Sequence, residues 1–165
     1  MKKEFSKDSP LAALMSNFLH PGNVDYICVR PERSKEPLPV EKVNAICDQG
    51  LQGDHYSKKG GNRQVTLIQA EHIKAVESIL QKEVSPLQLR RNIVVSGINL
   101  LALQGKRIKI GEAELLITGD CPPCSRMEEN LGFGGYIAMR GHGGVTASVI
   151  TSGEIKINDK IKFLE

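Results

Sequence analysis

Residues 145–163 read VTASVITSGEIKINDKIKF, and this stretch decides the fold class. Apolar and polar side chains alternate along it, as they do where one face of a β-strand is buried. The turn-forming pairs Ser152-Gly153 and Asn158-Asp159 interrupt the alternation. The stretch therefore predicts short strands joined by tight turns.

Similar short segments recur upstream, rich in β-branched and apolar residues and separated by proline or glycine. They are Val24–Arg30, Val43–Cys47, Gln64–Ile68, Arg91–Ser96, and a hairpin of Arg107–Ile110 with Glu114–Thr118. Many short strands with few helices favour a mainly β barrel or sandwich over a parallel sheet with crossover helices.

Two helices are predicted outside the strands. Ser9–Leu19 carries an apolar stripe behind a Ser-Pro start, and Gln69–Lys82 is amphipathic. We therefore expect a helical extension over residues 1–22 and one domain over residues 23–165, a size that can bury its own core.

The amino-acid composition of the chain limits the classes of partner that it is expected to bind. The chain has 165 residues with 22 basic and 19 acidic side chains, no Trp, four Phe and three Tyr, which offers few platforms for stacked bases. It has no apolar run of the roughly 20 residues that span a bilayer and no apolar leader. We expect a cytoplasmic protein without nucleic-acid or membrane partners, in which Cys28 and Cys47 are buried thiols.

The motif Cys121-Pro122-Pro123-Cys124 carries most of the chemical information. A helical pattern follows from Ser125 to Leu131, so the Cys124 sulfur would lie near a helix N-terminus, with Arg126 adding positive charge. Both features stabilise a thiolate. Cys124 is therefore the candidate catalytic residue or metal ligand, and Cys121 is a candidate redox partner.

Other interpretations of this motif stay open. Both cysteines could be ordinary thiols of a tight turn. Zinc would need two more ligands, but the chain has no second C-x-x-C and its histidines, His20, His55, His72 and His142, are scattered. A thioredoxin-like site would need a strand and a long helix around the motif, whereas β hairpins and loops flank it.

Two glycine-rich basic loops, residues 58–63 and 139–144, are candidate anion sites, because successive backbone N–H groups and arginine suit phosphate. Each also fits a hairpin loop that simply needs positive φ. Their candidate ligands, with those of the basic strand start at residues 90–92, are Arg63, Arg91, Asn92, Arg140, His142, Gly143 and Gly144.

Two further polar residues lie in the turn-forming stretch at residues 50–55. Asp54 could bond its own backbone, as Asp commonly does in such loops, or orient His55. His142 could donate a proton near neutral pH or be a plain loop residue, and the sequence favours neither.

Taken in order, several motifs resemble the MOSC domain family, named after the C-terminal part of molybdenum cofactor sulfurases. They are Gly50–Asp54, Arg63–Ile68, Leu89–Val94, Gly105–Gly111, the Cys-Pro-Pro-Cys motif, Arg140–Val145 and the closing strands. The resemblance covers about residue 23 to the C-terminus. It implies a MOSC-type β-barrel with a few peripheral helices.

The resemblance also implies one reactive cysteine, which falls on Cys124. In the family this cysteine carries sulfur or ligates the metal of the molybdenum cofactor (molybdopterin). Arg63, Arg91, Asn92, Arg140, Gly143 and Gly144 would line the pocket around it. No pyridoxal phosphate site is expected in this chain, so sulfur would come from a cysteine desulfurase.

Three hypotheses follow. The first is a molybdenum-dependent oxidoreductase that reduces N-hydroxylated compounds with electrons from a donor protein, Cys124 being the metal ligand. The second is a non-catalytic sulfur carrier or cofactor-binding module that uses a Cys124 persulfide for metal-sulfur assembly. The third is a dithiol switch of Cys121 and Cys124. The N-terminal helix could serve as a homodimer contact or as a lid.

Overall fold

The computed structural model describes residue 6 and residues 8–56 and 60–164. Its strands are β1 (Gly22–Val29), β2 (Leu38–Val40), β3 (Lys42–Ile46), β4 (Gly50–Leu51), β5 (Val65–Gln69), β6 (Ile93–Ser96), β7 (Arg107–Ile110), β8 (Ala113–Asp120), β9 (Val145–Thr151), β10 (Gly153–Lys156) and β11 (Lys160–Leu164). Its helices are α1 (Pro10–Leu14), α2 (Ala70–Leu80), α3 (Pro86–Leu89), α4 (Arg126–Leu131) and α5 (Gly135–Met139), with a 3₁₀ turn at Leu100–Leu103.

The strands form a closed barrel in the order β11-β7-β8-β9-β5-β6-β1, and β1 pairs with β11 to complete the ring. Strand β2 pairs with β1 as an added strand, and β10, β3 and β4 form a small second sheet. Closure leaves the ring no free edge, which removes the unpaired backbone groups of an open sheet. The predicted mainly β barrel with peripheral helices is confirmed.

Two apolar clusters stabilise this arrangement. The larger one fills the barrel with inward-facing side chains such as Ile27, Leu67 and Leu115. The smaller one lies between the barrel and the helices and includes Val76 of α2 and Met127 of α4. The second cluster fixes residues 121–144, which carry the Cys-Pro-Pro-Cys motif, against one side of the barrel.

The pairing of β5 with β6 is parallel, the single parallel pair among the described strands. The sequence did not predict it, because a parallel pair needs a crossover connection and strand patterns do not identify partners. Here α2 and α3 provide the crossover. The register places Leu67 opposite Ile93, so Asn92 comes beside Thr66 in the barrel wall.

The predicted helix over Ser9–Leu19 is wrong in length, because α1 ends at Leu14. The Ser9 side chain caps it as expected by accepting a hydrogen bond from the Ala12 N–H. Beyond the helix, the Phe18 ring packs on Phe163, with centroids 5.1 Å apart, and on the barrel core. That contact buries apolar surface of Phe18 on the barrel, whereas Leu14 at the end of the helix is 64% exposed.

Other local predictions compare as follows. The amphipathic helix is confirmed as α2, and the helical pattern after Cys124 is confirmed as α4. Strand β2 and helix α5 were not predicted, and β4 lies within the predicted turn region. No helix in the described part of the chain is long and apolar enough to cross a membrane.

The two strand cysteines differ in burial. Cys28 is buried, as predicted, but Cys47 is exposed, so that prediction is wrong. Cys47 follows the last residue of β3, where the chain turns, and its thiol donates a hydrogen bond to the Ile150 carbonyl.

Candidate functional site

The Cys-Pro-Pro-Cys turn connects the end of β8 to α4. The Cys121 N–H donates to the Gly144 carbonyl at 2.9 Å, and the Cys124 carbonyl accepts from the Met127 N–H at 3.0 Å. Cys121 is 1% exposed, whereas Cys124 is exposed, and both are free thiols. Cys124 is therefore the more accessible of the two cysteines.

The glycine loop that precedes β9 packs against this turn at backbone distance. A Cβ atom on Gly143 would lie 2.1 Å from the Cys121 carbonyl oxygen, and one on Gly144 would lie 2.0 Å from the Leu67 carbonyl oxygen. Neither position has room for a side chain. The glycines therefore allow the loop, the Cys-Pro-Pro-Cys turn and β5 to form one rigid unit.

Arg91 is buried in this unit and forms hydrogen bonds to both loops. Its Nε donates to the Gly143 carbonyl at 2.8 Å, Nη1 to the Leu89 carbonyl at 3.0 Å and Nη2 to the Cys121 carbonyl at 3.2 Å. Burial lowers the pKa of Arg91, because the charged form loses its hydration. In this conformation the guanidinium group positions both loops, and its predicted contact with a cofactor stays a prediction.

Arg63 approaches the same turn from the loop before β5. Its Nη2 lies 3.3 Å from the Cys121 sulfur, and this hydrogen bond raises the pKa of Arg63. Arg63 is therefore close to the motif. Residues 58 and 59 of the predicted basic loop lie outside the described residues.

A cleft of about 400 Å³ opens beside the turn. The Cys-Pro-Pro segment forms one wall and the glycine loop another; the lining residues are Leu101, Asp120, Cys121, Pro122, Pro123, Tyr136, Arg140, Gly141, Gly143 and Gly144. At Gly141 the φ angle is +80°, and a Cβ atom added there would meet no other atom within 4 Å, so bare backbone borders open space. Cys124 follows directly on the Pro123 wall.

Asn92 lies at the centre of a buried polar network. Its Oδ1 accepts from the Thr66 N–H at 3.0 Å and from the Thr66 hydroxyl at 3.1 Å, and its Nδ2 donates to Asp54 Oδ1 at 3.0 Å. The Thr66 hydroxyl in turn accepts from the Asn92 N–H at 3.0 Å. Asn92 thus ties the parallel strand pair to the loop that carries Asp54, and sequence reasoning missed Thr66 as its partner.

Asp54 makes the backbone contacts of a turn residue. Its Oδ1 accepts from the Arg30 N–H at 2.8 Å and its Oδ2 from the Tyr56 N–H at 3.1 Å. Oδ2 also lies 4.0 Å from His55 Nδ1, which is 3.1 Å from the Arg30 carbonyl oxygen. Burial lowers the pKa of His55, and the positive charge of Arg30 adds to that effect.

His142 contacts His72 of α2, with ring centroids 5.0 Å apart and edge-to-face geometry. Both Nδ1 atoms are buried and have no hydrogen-bond partner in the described part of the chain. Burial lowers the pKa of His72, and the nearby His142 lowers it further. The sequence singled out His142 but offered no signal for its partner.

The structure brings most of the predicted site residues to one region. The turn contains Cys121 and Cys124 and is contacted by Arg63 and Arg91. Arg140 and the glycine loop border the cleft. Asp54 connects to this region through Asn92, and His55 contacts Arg30. Within residues 8–56 and 60–164, no three His, Cys, Asp or Glu side chains are grouped to hold a metal ion.

Comparison with known proteins agrees with this geometry. The family model of the MOSC domain matches residues 52–162. The chain belongs to the MOSC domain family. The resemblance predicted from the ordered motifs is thereby confirmed, and the barrel described above is a MOSC barrel.

Solved structures share the MOSC barrel. YuaD from Bacillus subtilis is 20% identical with a TM-score of 0.75, covering 86% of this chain and 94% of that chain. YiiM from Escherichia coli is 20% identical (TM-score 0.68; 88% and 70% covered), and YiiM from Geobacillus stearothermophilus is 18% identical (TM-score 0.72; 88% and 76% covered). At sequence identities this low, the similarity shows a shared fold and no more. A search of curated proteins finds no match.

Proposed function

We propose that this MOSC protein binds the molybdenum cofactor and reduces N-hydroxylated compounds, with the Cys124 thiolate as the protein ligand of the metal. One observation carries the proposal. The exposed Cys124 sulfur ends a rigid turn whose preceding residues, Cys121 to Pro123, form the wall of the glycine-lined cleft. A metal held at Cys124 would therefore stand at the edge of a space fit for an organic cofactor.

The residues present fit this group. Thiolate is a soft ligand of the kind that such metals favour. The cleft has the volume of a small-molecule site, and Gly141 presents backbone without a side chain to it. Arg140 also lines the cleft, is exposed and has no ion-pair partner among the described residues, so its charge is available to an anionic ligand.

When bound, molybdenum supplies two-electron redox chemistry. Reduction of a hydroxylamino group to an amino group and water consumes two electrons and two protons, and we propose that a donor protein delivers the electrons. The chain's own residues hold the geometry. Arg91 fixes the turn against the glycine loop, and Arg63 contacts it from the loop before β5, so the backbone that carries Cys124 is held in place.

The test is reduction of a hydroxylaminopurine, supplied as the free base and as its nucleoside 5′-monophosphate, by the purified holoprotein with reduced methyl viologen as electron source. Cys124→Ser is expected to abolish turnover, because a hydroxyl group does not replace a soft thiolate ligand. Cys47→Ser is the matched control, since Cys47 is also exposed but lies on a different loop. Full turnover in Cys124→Ser would overturn the proposal.

A second candidate, a sulfur carrier, is favoured by the difference in exposure between the two motif cysteines. The Cys124 thiolate would attack the outer sulfur of a donor persulfide, forming a new S–S bond while the donor leaves as a thiolate. Intact-mass spectrometry would then show one added sulfur atom on Cys124 and no bound metal. Absence of that adduct after incubation with a cysteine desulfurase and cysteine would exclude this candidate.

A further inference from the structure

Three arginines from separate segments meet beside Cys124. Arg30 follows β1, Arg90 follows α3 and Arg126 begins α4. Arg90 Nη2 and Arg126 Nη1 both donate to the Arg33 carbonyl oxygen, at 2.9 and 3.2 Å. Two guanidinium groups that share one acceptor must lie side by side.

The third arginine comes from the neighbouring strand end: β1 and β6 are antiparallel with Ile27 opposite Ile93, and the Cys28 N–H bonds the Asn92 carbonyl, so the chain past β1 runs toward residue 90. Arg30 Nη2 lies 3.4 Å from His55 Nε2, and its Cζ lies 5.5 Å from the centre of the Tyr56 ring. Stacking on an aromatic ring restricts an arginine while leaving its N–H edge free for other acceptors. The position of Arg30 is thereby set before any ligand arrives.

The positive charges of this group are not neutralised by the protein. In the described part of the chain none of the three arginines forms an ion pair with a carboxylate. Burial and the charges of Arg30 and Arg126 lower the pKa of Arg90, while Glu36 and Cys124 act in the opposite direction. Arg90 Nε is also buried without a hydrogen-bond partner among the described residues.

Like charges packed together are unfavourable, and a buried donor without an acceptor costs about 1–3 kcal/mol. An anion placed among the three groups would relieve the like-charge cost. Guanidinium groups bind phosphate oxygens through paired N–H donors, which makes a phosphate the best match for this arrangement.

The group is separate from the cleft proposed for the cofactor. The lining of that cleft includes Pro122 and Pro123 but, among the described residues, none of the three arginines. Cys124 adjoins both features, since it follows Pro123 and lies two residues before Arg126. A ligand bound to the arginines would therefore lie beside the Cys124 sulfur without occupying the cleft.

We propose that Arg30, Arg90 and Arg126 bind a phosphate group of the substrate, so that the compounds processed at Cys124 are phosphorylated, such as nucleotides, and not free bases. The inference rests on the proposed function for its reaction but not for its binding chemistry. It assigns a specificity role to three arginines that lie outside the set of cofactor residues predicted from the sequence.

The binding test uses the full chain, with and without cofactor, and isothermal titration with adenosine 5′-monophosphate and with adenosine. The monophosphate is expected to bind at least about tenfold more tightly, because charge-assisted hydrogen bonds form only with the phosphate. Arg126→Gln and Arg30→Gln are each expected to weaken monophosphate binding by about tenfold and to leave adenosine binding unchanged. Arg107→Gln is the matched control, because Arg107 pairs with Glu114 on the barrel surface.

Three outcomes separate the alternatives. Equal binding of the two probes to the cofactor-loaded protein would overturn the proposal. Monophosphate binding that occurs only without cofactor, together with molybdenum loss in Arg126→Gln and Arg30→Gln, would assign the arginines to the cofactor's phosphate and would also overturn it. Arginine-dependent discrimination in a protein that never binds molybdenum would support the phosphate subsite and contradict the proposed function instead. Melting curves of each variant would show whether a lost signal reflects unfolding.

Discussion

The substitution Gly143→Ala tests whether the Cys-Pro-Pro-Cys turn and the glycine loop form one rigid unit. The added Cβ would lie 2.1 Å from the Cys121 carbonyl oxygen, whereas ordinary contacts are 3.4–4 Å. The two loops would have to separate by more than about 1 Å. Both ends of the contact are backbone, so no side chain can rotate away to relieve the overlap.

The magnitude follows from the hydrogen bonds that such a separation breaks. The bond from Arg91 Nε to the Gly143 carbonyl, at 2.8 Å, and that from the Cys121 N–H to the Gly144 carbonyl, at 2.9 Å, both cross this contact. Each buried group left without a partner costs about 1–3 kcal/mol. We expect Gly143→Ala to lower the free energy of unfolding by about 2–5 kcal/mol.

The assay is urea unfolding followed by far-ultraviolet circular dichroism, with Gly141→Ala as the control. Gly141 has a φ of +80° and open space around its Cβ position, so that variant carries only the left-handed backbone cost of about 1–2 kcal/mol. If Gly143→Ala is as stable as Gly141→Ala to within about 0.5 kcal/mol, with equal denaturant slopes, the account of a rigid unit is refuted.

Three more predictions follow from the same structure. Iodoacetamide should alkylate the exposed Cys47 and Cys124 in the native protein but spare Cys28. The reason is that burial, reinforced by the charge of a nearby aspartate, raises the pKa of Cys28 to about 12. Peptide mass mapping that finds native Cys28 labelled as fast as Cys124 would contradict this prediction. Arg91→Leu leaves three backbone carbonyls without their donor and should lower the free energy of unfolding by about 3 kcal/mol or more. Urea unfolding that shows a loss below about 1 kcal/mol would contradict the role of Arg91 in holding the two loops together. The pKa of His72 is lowered from 6.5 in the folded state, so the unfolded chain binds more protons, and the free energy of unfolding should fall as the pH drops below about 6.5. His72→Gln should flatten that part of the plot of unfolding free energy against pH. An unchanged slope would contradict the burial of the His72–His142 pair.

Much of the fold could be predicted because its signals are local. The alternation in residues 145–163 matches β9 to β11, and the apolar spacing in residues 69–82 matches α2. Elements with weak local signals were missed. Strand β2 has three residues with Pro39 at its centre, and α5 begins at Gly135 and spans five residues, so neither is long enough for its apolar pattern to repeat.

The sequence indicated which residues belong to the candidate site, but it did not indicate which of them contact one another. Sequence reasoning selected Asp54 and Asn92 separately, but only the parallel pairing of β5 with β6 places Asn92 where it reaches both Asp54 and Thr66. Arg91 was predicted at a ligand, which stays a prediction, and the sequence did not show that its guanidinium group also bonds the backbone carbonyls of two loops. These relations depend on chain segments far apart in sequence.

The arginine group beside Cys124 shows the same limit. Arg30 and Arg90 lie far apart in the sequence, and only the antiparallel pairing of β1 with β6 brings their loops together. Each arginine alone is an ordinary surface residue by pattern. The cluster becomes visible only when shared acceptors, such as the Arg33 carbonyl, are known.

The most direct test of the central claim is the molybdenum-to-protein ratio of protein purified from a host that makes the cofactor. Cys124 is exposed and directly follows the Pro123 wall of the cleft, whereas Cys121 is buried and hydrogen-bonded to Arg63. The account predicts bound molybdenum in the wild type and in Cys121→Ser, and its loss in Cys124→Ser. Equal molybdenum in Cys124→Ser and wild type, or loss in Cys121→Ser alone, would contradict it.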